Sequence, residues 1–177
     1  MKAVFIGLAG SGKTTWGRHL ASLLDLPFND LDALVEASMH IDIPTLFRQK
    51  REGSFRKAEK DMLRAVLSET TDGVLATGGG TPFHAFSAFD RTNAYVIWLN
   101  PPLEAIETRL KESWSSRPLF AQAGEQEWHQ LLRAQQKERQ ASYSVLADEV
   151  WTTSNADSLE LLCQSIADGW DGLLGQG

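Results

Sequence analysis

Nine residues near the start of the chain, Gly7-Leu8-Ala9-Gly10-Ser11-Gly12-Lys13-Thr14-Thr15, fit the spacing G-x-x-x-x-G-K-[ST] that wraps a polyphosphate. Phosphate oxygens need converging donors at close range, and glycines at 7, 10 and 12 let backbone N–H groups turn inward with no side chain in the way. Gly10, Ser11, Gly12, Lys13, Thr14 and Thr15 are therefore the candidate nucleotide-binding residues. The Lys13 ammonium belongs on the β- and γ-phosphates, the Thr14 hydroxyl on Mg²⁺, and the partial positive charge of the following helix N-terminus adds to both.

Phosphoryl transfer asks for positioning and charge neutralisation, so the remaining cations and carboxylates come next. Arg117 stands in a stretch without periodicity, where closure over a bound nucleotide would bring it onto the phosphates. Asp30 and Asp32 stand one residue apart at the end of a short apolar run, and in extended backbone they would point the same way. The plainer alternative is that one of them only caps the next helix. Arg56 shares its helical stretch with Lys57 and Lys60, and Arg139 stands beside Lys137 and Glu138, so each fits a solvated helix face. Gly79, in the run Gly78-Gly79-Gly80, marks either a close backbone approach to a ligand or a flexible turn.

These residues need a frame, and the pattern supplies one. Apolar β-prone runs at 2–6, 26–30, 74–77, 94–99 and 149–152 alternate with helical periodicity at 15–24, 31–38, 44–50, about 53–67, 101–110, 125–141 and 158–167. Such alternation predicts an α/β fold with a parallel sheet covered on both faces. Gly53-Ser54 is expected to cap the long helix after it, and residues 111–124 to form a mobile loop of lid length.

With 177 residues and 42% hydrophobic composition, the chain is expected to form one domain spanning 1–177. A net charge of −6 disfavours nucleic acid as a partner, and no apolar run approaches the ~18 residues of a membrane span. One cysteine, Cys163, excludes an internal disulfide and suits a reducing compartment, so a cytoplasmic, unprocessed monomer is expected.

Taken in order, Gly7 to Thr15, Phe28-Asn29-Asp30-Leu31-Asp32 with Val35-Glu36, Gly53 to Glu59, Ala76-Thr77-Gly78-Gly79-Gly80, Arg117-Pro118-Leu119, and Arg139 with Tyr143 and Ala147-Asp148 resemble the shikimate kinase family. That family lies within the nucleoside-monophosphate-kinase-like P-loop kinases. The resemblance implies a three-layer P-loop NTPase fold with a five-stranded parallel sheet of order 2-3-1-4-5, a substrate-binding region at about 31–60 and a lid at about 112–124. It implies transfer of the γ-phosphoryl of ATP to the 3-hydroxyl of shikimate, in aromatic amino-acid biosynthesis. By the same resemblance Asp30 joins Thr14 at Mg²⁺, and Lys13, Asp32 and Arg117 are catalytic, with Arg117 also on ATP. Asp32, Arg56, Gly79 and Arg139 hold shikimate, with Glu59 steadying Arg56, and the adenine-contacting loop falls at 152–155. The departure from the family is Gln140-Ala141-Ser142 ahead of Tyr143, which bears on Arg139. Two rival readings are a gluconate-type kinase of the same fold and a nucleotide-binding module that has lost catalysis.

Overall fold

A computed structural model describes residues 1–89, 92–125 and 127–174. Five strands, β1 (Lys2–Ile6), β2 (Phe28–Asp30), β3 (Gly73–Ala76), β4 (Ala94–Leu99) and β5 (Glu149–Trp151), form one sheet of order β2-β3-β1-β4-β5, with every neighbouring pair parallel. The order expected from the resemblance is the order found.

The central strands are buried on both faces, and their period of two divides the core. Val4 and Ile6 of β1, with Val96 and Trp98 of β4, face Leu63, Val66 and Leu67 of α4 (Glu52–Ser68), Ile106 and Leu110 of α6 (Leu103–Leu110), and Leu132, Tyr143 and Leu146 of α8 (Trp128–Leu146). Ala3, Phe5, Ile97 and Leu99 face the other way, onto Leu20 and Ala21 of α1 (Lys13–Leu24) and Leu159, Cys163, Ile166 and Trp170 of α9 (Ala156–Leu174). A third cluster, Val35, Leu46, Phe47 and Phe55, joins α2 (Leu31–Met39), α3 (Ile43–Arg48) and α4. It gives the 31–60 region a small core of its own beside the sheet.

Four local expectations are corrected. Gly53 and Ser54 do not cap α4 but lie inside its first turn, because the helix begins at Glu52 and the N–H groups of Ser54 and Phe55 both donate to the Arg51 carbonyl. Asp32 is not extended: β2 ends at Asp30 and α2 starts at Leu31, so the two carboxylates are separated by a change of backbone as well as by a residue. The expected loop at 111–124 is largely helical, with a 3-10 turn at Trp114–Ser116 and α7 (Pro118–Ala123). It shows no period in the sequence because its apolar residues serve different clusters, Leu119 packing beside Phe47 and Phe55 while Phe120 enters the main core. Finally, α8 runs on to Leu146 and α9 to Leu174, and α5 (Thr81–His84), a single turn directly after the three glycines, has no counterpart in the sequence pattern. The helix expected from 125 includes residue 126, which lies outside the described residues. No helix among the described residues is long and apolar enough to cross a membrane.

Candidate active site

The loop between β1 and α1 turns on glycines, with φ of 141° at Gly7, 79° at Gly10 and 106° at Gly12, values that other residues rarely adopt. Lys13 opens α1, and its Nζ reaches back to the carbonyls of Gly7 (2.9 Å) and Leu8 (2.8 Å). The side chain is buried, and that burial pulls its pKa down to about 8, against the attraction of Asp32.

The two carboxylate oxygens of Asp30 have different partners. One oxygen, Oδ1, accepts from the N–H of Asp32 (3.1 Å) and of Ala33 (3.5 Å), capping α2. The other, Oδ2, accepts from the Thr14 hydroxyl (3.0 Å), so the end of β2 and the start of α1 bring two hard oxygen donors together. Asp32, in the first turn of α2, has a buried Oδ1 with no hydrogen-bond partner among the described residues. Burial, then the neighbouring carboxylates Glu59 and Asp30, push its pKa up to about 6, while Lys13 and Arg56 oppose the shift.

On α4, Arg56 is clamped by two glutamates one turn either side of it. Its Nε and one terminal nitrogen share Glu52 Oε1 (3.2 and 3.1 Å), and the other terminal nitrogen donates to Glu59 Oε2 (3.0 Å). Glu59 is fully buried and also accepts from the Thr81 hydroxyl (2.6 Å), which ties α4 to α5. Phe55 and Phe47 lie against the guanidinium, at 4.9 and 5.9 Å from the ring centres.

The three glycines after β3 answer to three different neighbours. A Cβ on Gly78 would stand 2.7 Å from Asp32 Oδ1, one on Gly79 2.9 Å from the Ala9 nitrogen, and one on Gly80 3.1 Å from the Arg56 guanidinium. None of the three needs positive φ, so close approach is the reason for the run, and the close neighbours are parts of the site itself. From α8, Arg139 donates to the Gly79 carbonyl (3.1 Å), and the Tyr143 hydroxyl donates to the same oxygen. Burial pushes the Tyr143 pKa up to about 12, which keeps that hydroxyl a donor. The departure at 140–142 therefore leaves Arg139 in the site, because Tyr143 falls one turn later on the same helix face.

Two cavities result. One, of about 380 Å³, is lined by Asp32, Arg56, Glu59, Gly79, Arg117, Gln135 and Arg139 among others, with Phe47, Phe55 and Leu119 as apolar walls. The second, of about 300 Å³, is lined by Gly10, Gly12, Lys13, Thr14, Thr15, Asp30 and Arg109. Ala9, Asp32, Gly78, Gly79 and Arg117 border both. Among the expected nucleotide-binding residues only Ser11 is absent from the second cavity. Its side chain is buried beneath the loop and its N–H closes a turn onto the Leu8 carbonyl. Residues 152–155, expected near adenine, line neither cavity.

Matching to known families agrees with this arrangement. The family model described as shikimate kinase matches residues 9–168. The chain belongs to the shikimate kinase family. This kinase is 32% identical over 162 residues to shikimate kinase from Bacteroides thetaiotaomicron, covering 90% of each chain, and 31% identical over 133 residues to that from Flavobacterium johnsoniae, covering 74% of this chain and 77% of the relative. Its structure superposes on shikimate kinase from Acinetobacter baumannii in complex with shikimate with a TM-score of 0.82 and 31% identity, covering 93% of this chain and 89% of the other. Family membership makes the chain an ATP-dependent kinase and removes the gluconate-type alternative.

Sequence reasoning passed over Arg109 and Gln135, which line the cavities of this kinase, and Thr81, which braces Glu59. Arg109 donates to the carbonyls of Gly10 (3.4 Å) and Ser11 (3.1 Å), bracing the phosphate loop from α6, yet in sequence it is one basic residue near a helix end. Thr81 is fully buried on Glu59, and the only sequence cue was its place directly after the glycines. Gln135 carried no cue, since it sits in a polar helical stretch beside Gln136.

Proposed function

We propose that the joined cavities transfer the γ-phosphoryl group of ATP to the 3-hydroxyl of shikimate, with ATP along the phosphate loop and shikimate in the larger cavity. The observation that carries this reading is the shared wall: Asp32 and Arg117 border both spaces, so a group leaving one ligand for the other passes between a carboxylate and a guanidinium. Asp32, with a pKa near 6, is ionised at neutral pH yet basic enough to accept the hydroxyl proton as the oxygen attacks. Lys13 and Arg117 hold the negative oxygens of the transferring group, and the burial of Lys13 and the partial burial of Arg117 strengthen that interaction. Arg56 and Arg139 take the shikimate carboxylate, and Gly79 supplies backbone contact at the same end. Of the two glutamates on Arg56, Glu59 is 1% exposed and doubly bonded while Glu52 is 45% exposed, so the substrate carboxylate displaces Glu52.

Thr14 and Asp30 fit Mg²⁺: both are hard oxygen donors, already 3.0 Å apart, and few protein ligands suit an ion that keeps water and phosphate in its shell. When bound, Mg²⁺ neutralises charge on the β- and γ-phosphates. We further infer a single domain acting as a monomer; the acidic balance disfavours nucleic acid as a partner, and the buried free thiol of Cys163 suits the cytoplasm.

The test is a coupled ADP-release assay with shikimate, gluconate and nucleoside monophosphates supplied in turn. Turnover should depend on shikimate. Equal turnover with gluconate, or ATP binding without shikimate-dependent ADP release, would overturn the assignment.

A further inference from the structure

Gln135 is 5% exposed, yet neither end of its carboxamide makes a hydrogen bond within the described residues. The amide atoms keep contact with open space, so their hydrogen-bonding capacity is available to whatever comes to lie against them. The side chain lines the larger cavity, which Pro118, Leu119 and Phe120 of α7 also line. It also lies four residues before Arg139 on α8, on the same helix face and one turn nearer the lid.

We propose that Gln135 is a specificity-determining residue whose carboxamide N–H donates to the carboxylate end of the acceptor, beside Arg139. This rests on the reading that shikimate fills the larger cavity. A carboxylate has about four lone-pair directions, more than one guanidinium edge can use. Arg139 already spends one nitrogen on the Gly79 carbonyl, so oxygen capacity is left for a neutral donor on the adjacent turn. Pro118, Leu119 and Phe120 of α7 offer the amide no polar side chain, so an acceptor that fills the cavity completes its hydrogen bonding.

The full-length chain carrying Gln135→Leu or Gln135→Glu tests this by shikimate calorimetry, steady-state kinetics and thermal unfolding without ligand. For Gln135→Leu, the dissociation constant and KM for shikimate should rise on the order of ten- to a hundredfold, the span expected for one hydrogen bond to a charged group, with kcat and the KM for ATP nearly unchanged. The ligand-free melting temperature should not fall, because the carboxamide makes no hydrogen bond within the described residues that leucine would remove. Gln135→Glu should bind shikimate more weakly than the leucine variant, since it sets a second carboxylate against the first. Unchanged shikimate binding in Gln135→Leu, with or without a lower melting temperature, would make Gln135 a packing residue and overturn the proposal. Tighter binding by Gln135→Glu than by Gln135→Leu would overturn it too, by pointing to a substrate hydroxyl. Absence of shikimate binding by the unaltered chain would instead sink the functional reading on which the proposal rests.

Discussion

Replacing Asp32 by Asn should stabilise the ligand-free protein while nearly abolishing turnover. The Asp32 carboxyl titrates near 3.8 when unperturbed and near 6 in the fold, mainly through burial and then through Glu59 and Asp30. The folded chain thus holds a proton that the unfolded chain has already released. Its contribution to stability is complete below about pH 3.8 and is lost as pH rises through about 6. A rise of about two units, at roughly 1.4 kcal/mol each, sets the cost of the ionised group at neutral pH at about 3 kcal/mol. Asparagine cannot ionise, but it keeps a polar group at the site of the unpartnered Oδ1, so about 2 kcal/mol should be recovered. For a chain of this length that corresponds to roughly 4–8 °C in melting temperature.

Thermal unfolding of both proteins at pH 7.5 and below pH 4, without nucleotide or shikimate, reads this directly. The gain should appear at pH 7.5 and vanish in acid, where the wild-type carboxyl is itself neutral. Turnover at pH 7.5 should fall by roughly 10²–10⁴, the usual worth of a positioned base. An Asn variant less stable than wild type at pH 7.5, or a gain of equal size at both pH values, would refute the account of Asp32 as a carboxylate held at a cost.

The pH profile of kcat/KM for shikimate should be a bell, rising through about pH 6 as Asp32 loses its proton and declining through about pH 8 as Lys13 loses its own; a flat profile across pH 5–9 would argue against both roles. Gly78→Ala should cut turnover more than a hundredfold, because its Cβ would stand 2.7 Å from Asp32 Oδ1, whereas Gly53→Ala, with nothing within 4 Å, should leave kinetics untouched; circular dichroism would confirm that both variants fold. Arg56→Lys keeps the charge but loses the guanidinium fork, so kcat/KM for shikimate should drop on the order of ten- to a hundredfold with ATP affinity unchanged. Lys57→Ala, at a side chain 81% exposed, is the control that should be silent, and equal behaviour of the two would remove Arg56 from the site.

What could be read in the sequence was what is decided locally. The phosphate loop is a strand, three glycines and a helix start in unbroken order, and its function depends on backbone conformation that those residues dictate. Strand positions were equally plain, because an interior parallel strand is a short apolar run between breakers. Less accessible was whatever depends on an encounter between distant segments. The run Gly78-Gly79-Gly80 could be flagged but not explained, since its neighbours come from α2, the phosphate loop and α4. Asp30 posed a choice between cap and metal ligand: one oxygen caps α2, and the other, held by the Thr14 hydroxyl, is left clear of the cap. Periodicity failed at 111–124 because Leu119 and Phe120 report to two different clusters, and no single apolar face exists to be counted.

The site's polar groups fall into two sets with different consequences for binding. In the first set each group already has a partner that a ligand must replace: Lys13 rests on the carbonyls of Gly7 and Leu8, Thr14 on Asp30, and the Arg56 fork on Glu52. Binding there exchanges one hydrogen bond for another, so it contributes little net affinity and fixes geometry in advance. In the second set, Asp32 Oδ1, Arg117 Nε, Arg139 Nε and the Gln135 amide have no partner among the described residues, so the ligand's contribution is a clear gain. All four groups of the second set border the larger cavity, whereas of the first set only Arg56 does. Discrimination between acceptors therefore concentrates where the unpaired groups are. A molecule that fills the cavity without completing their hydrogen bonds leaves them buried and unsatisfied, which penalises it more heavily than the loss of any one exchanged contact.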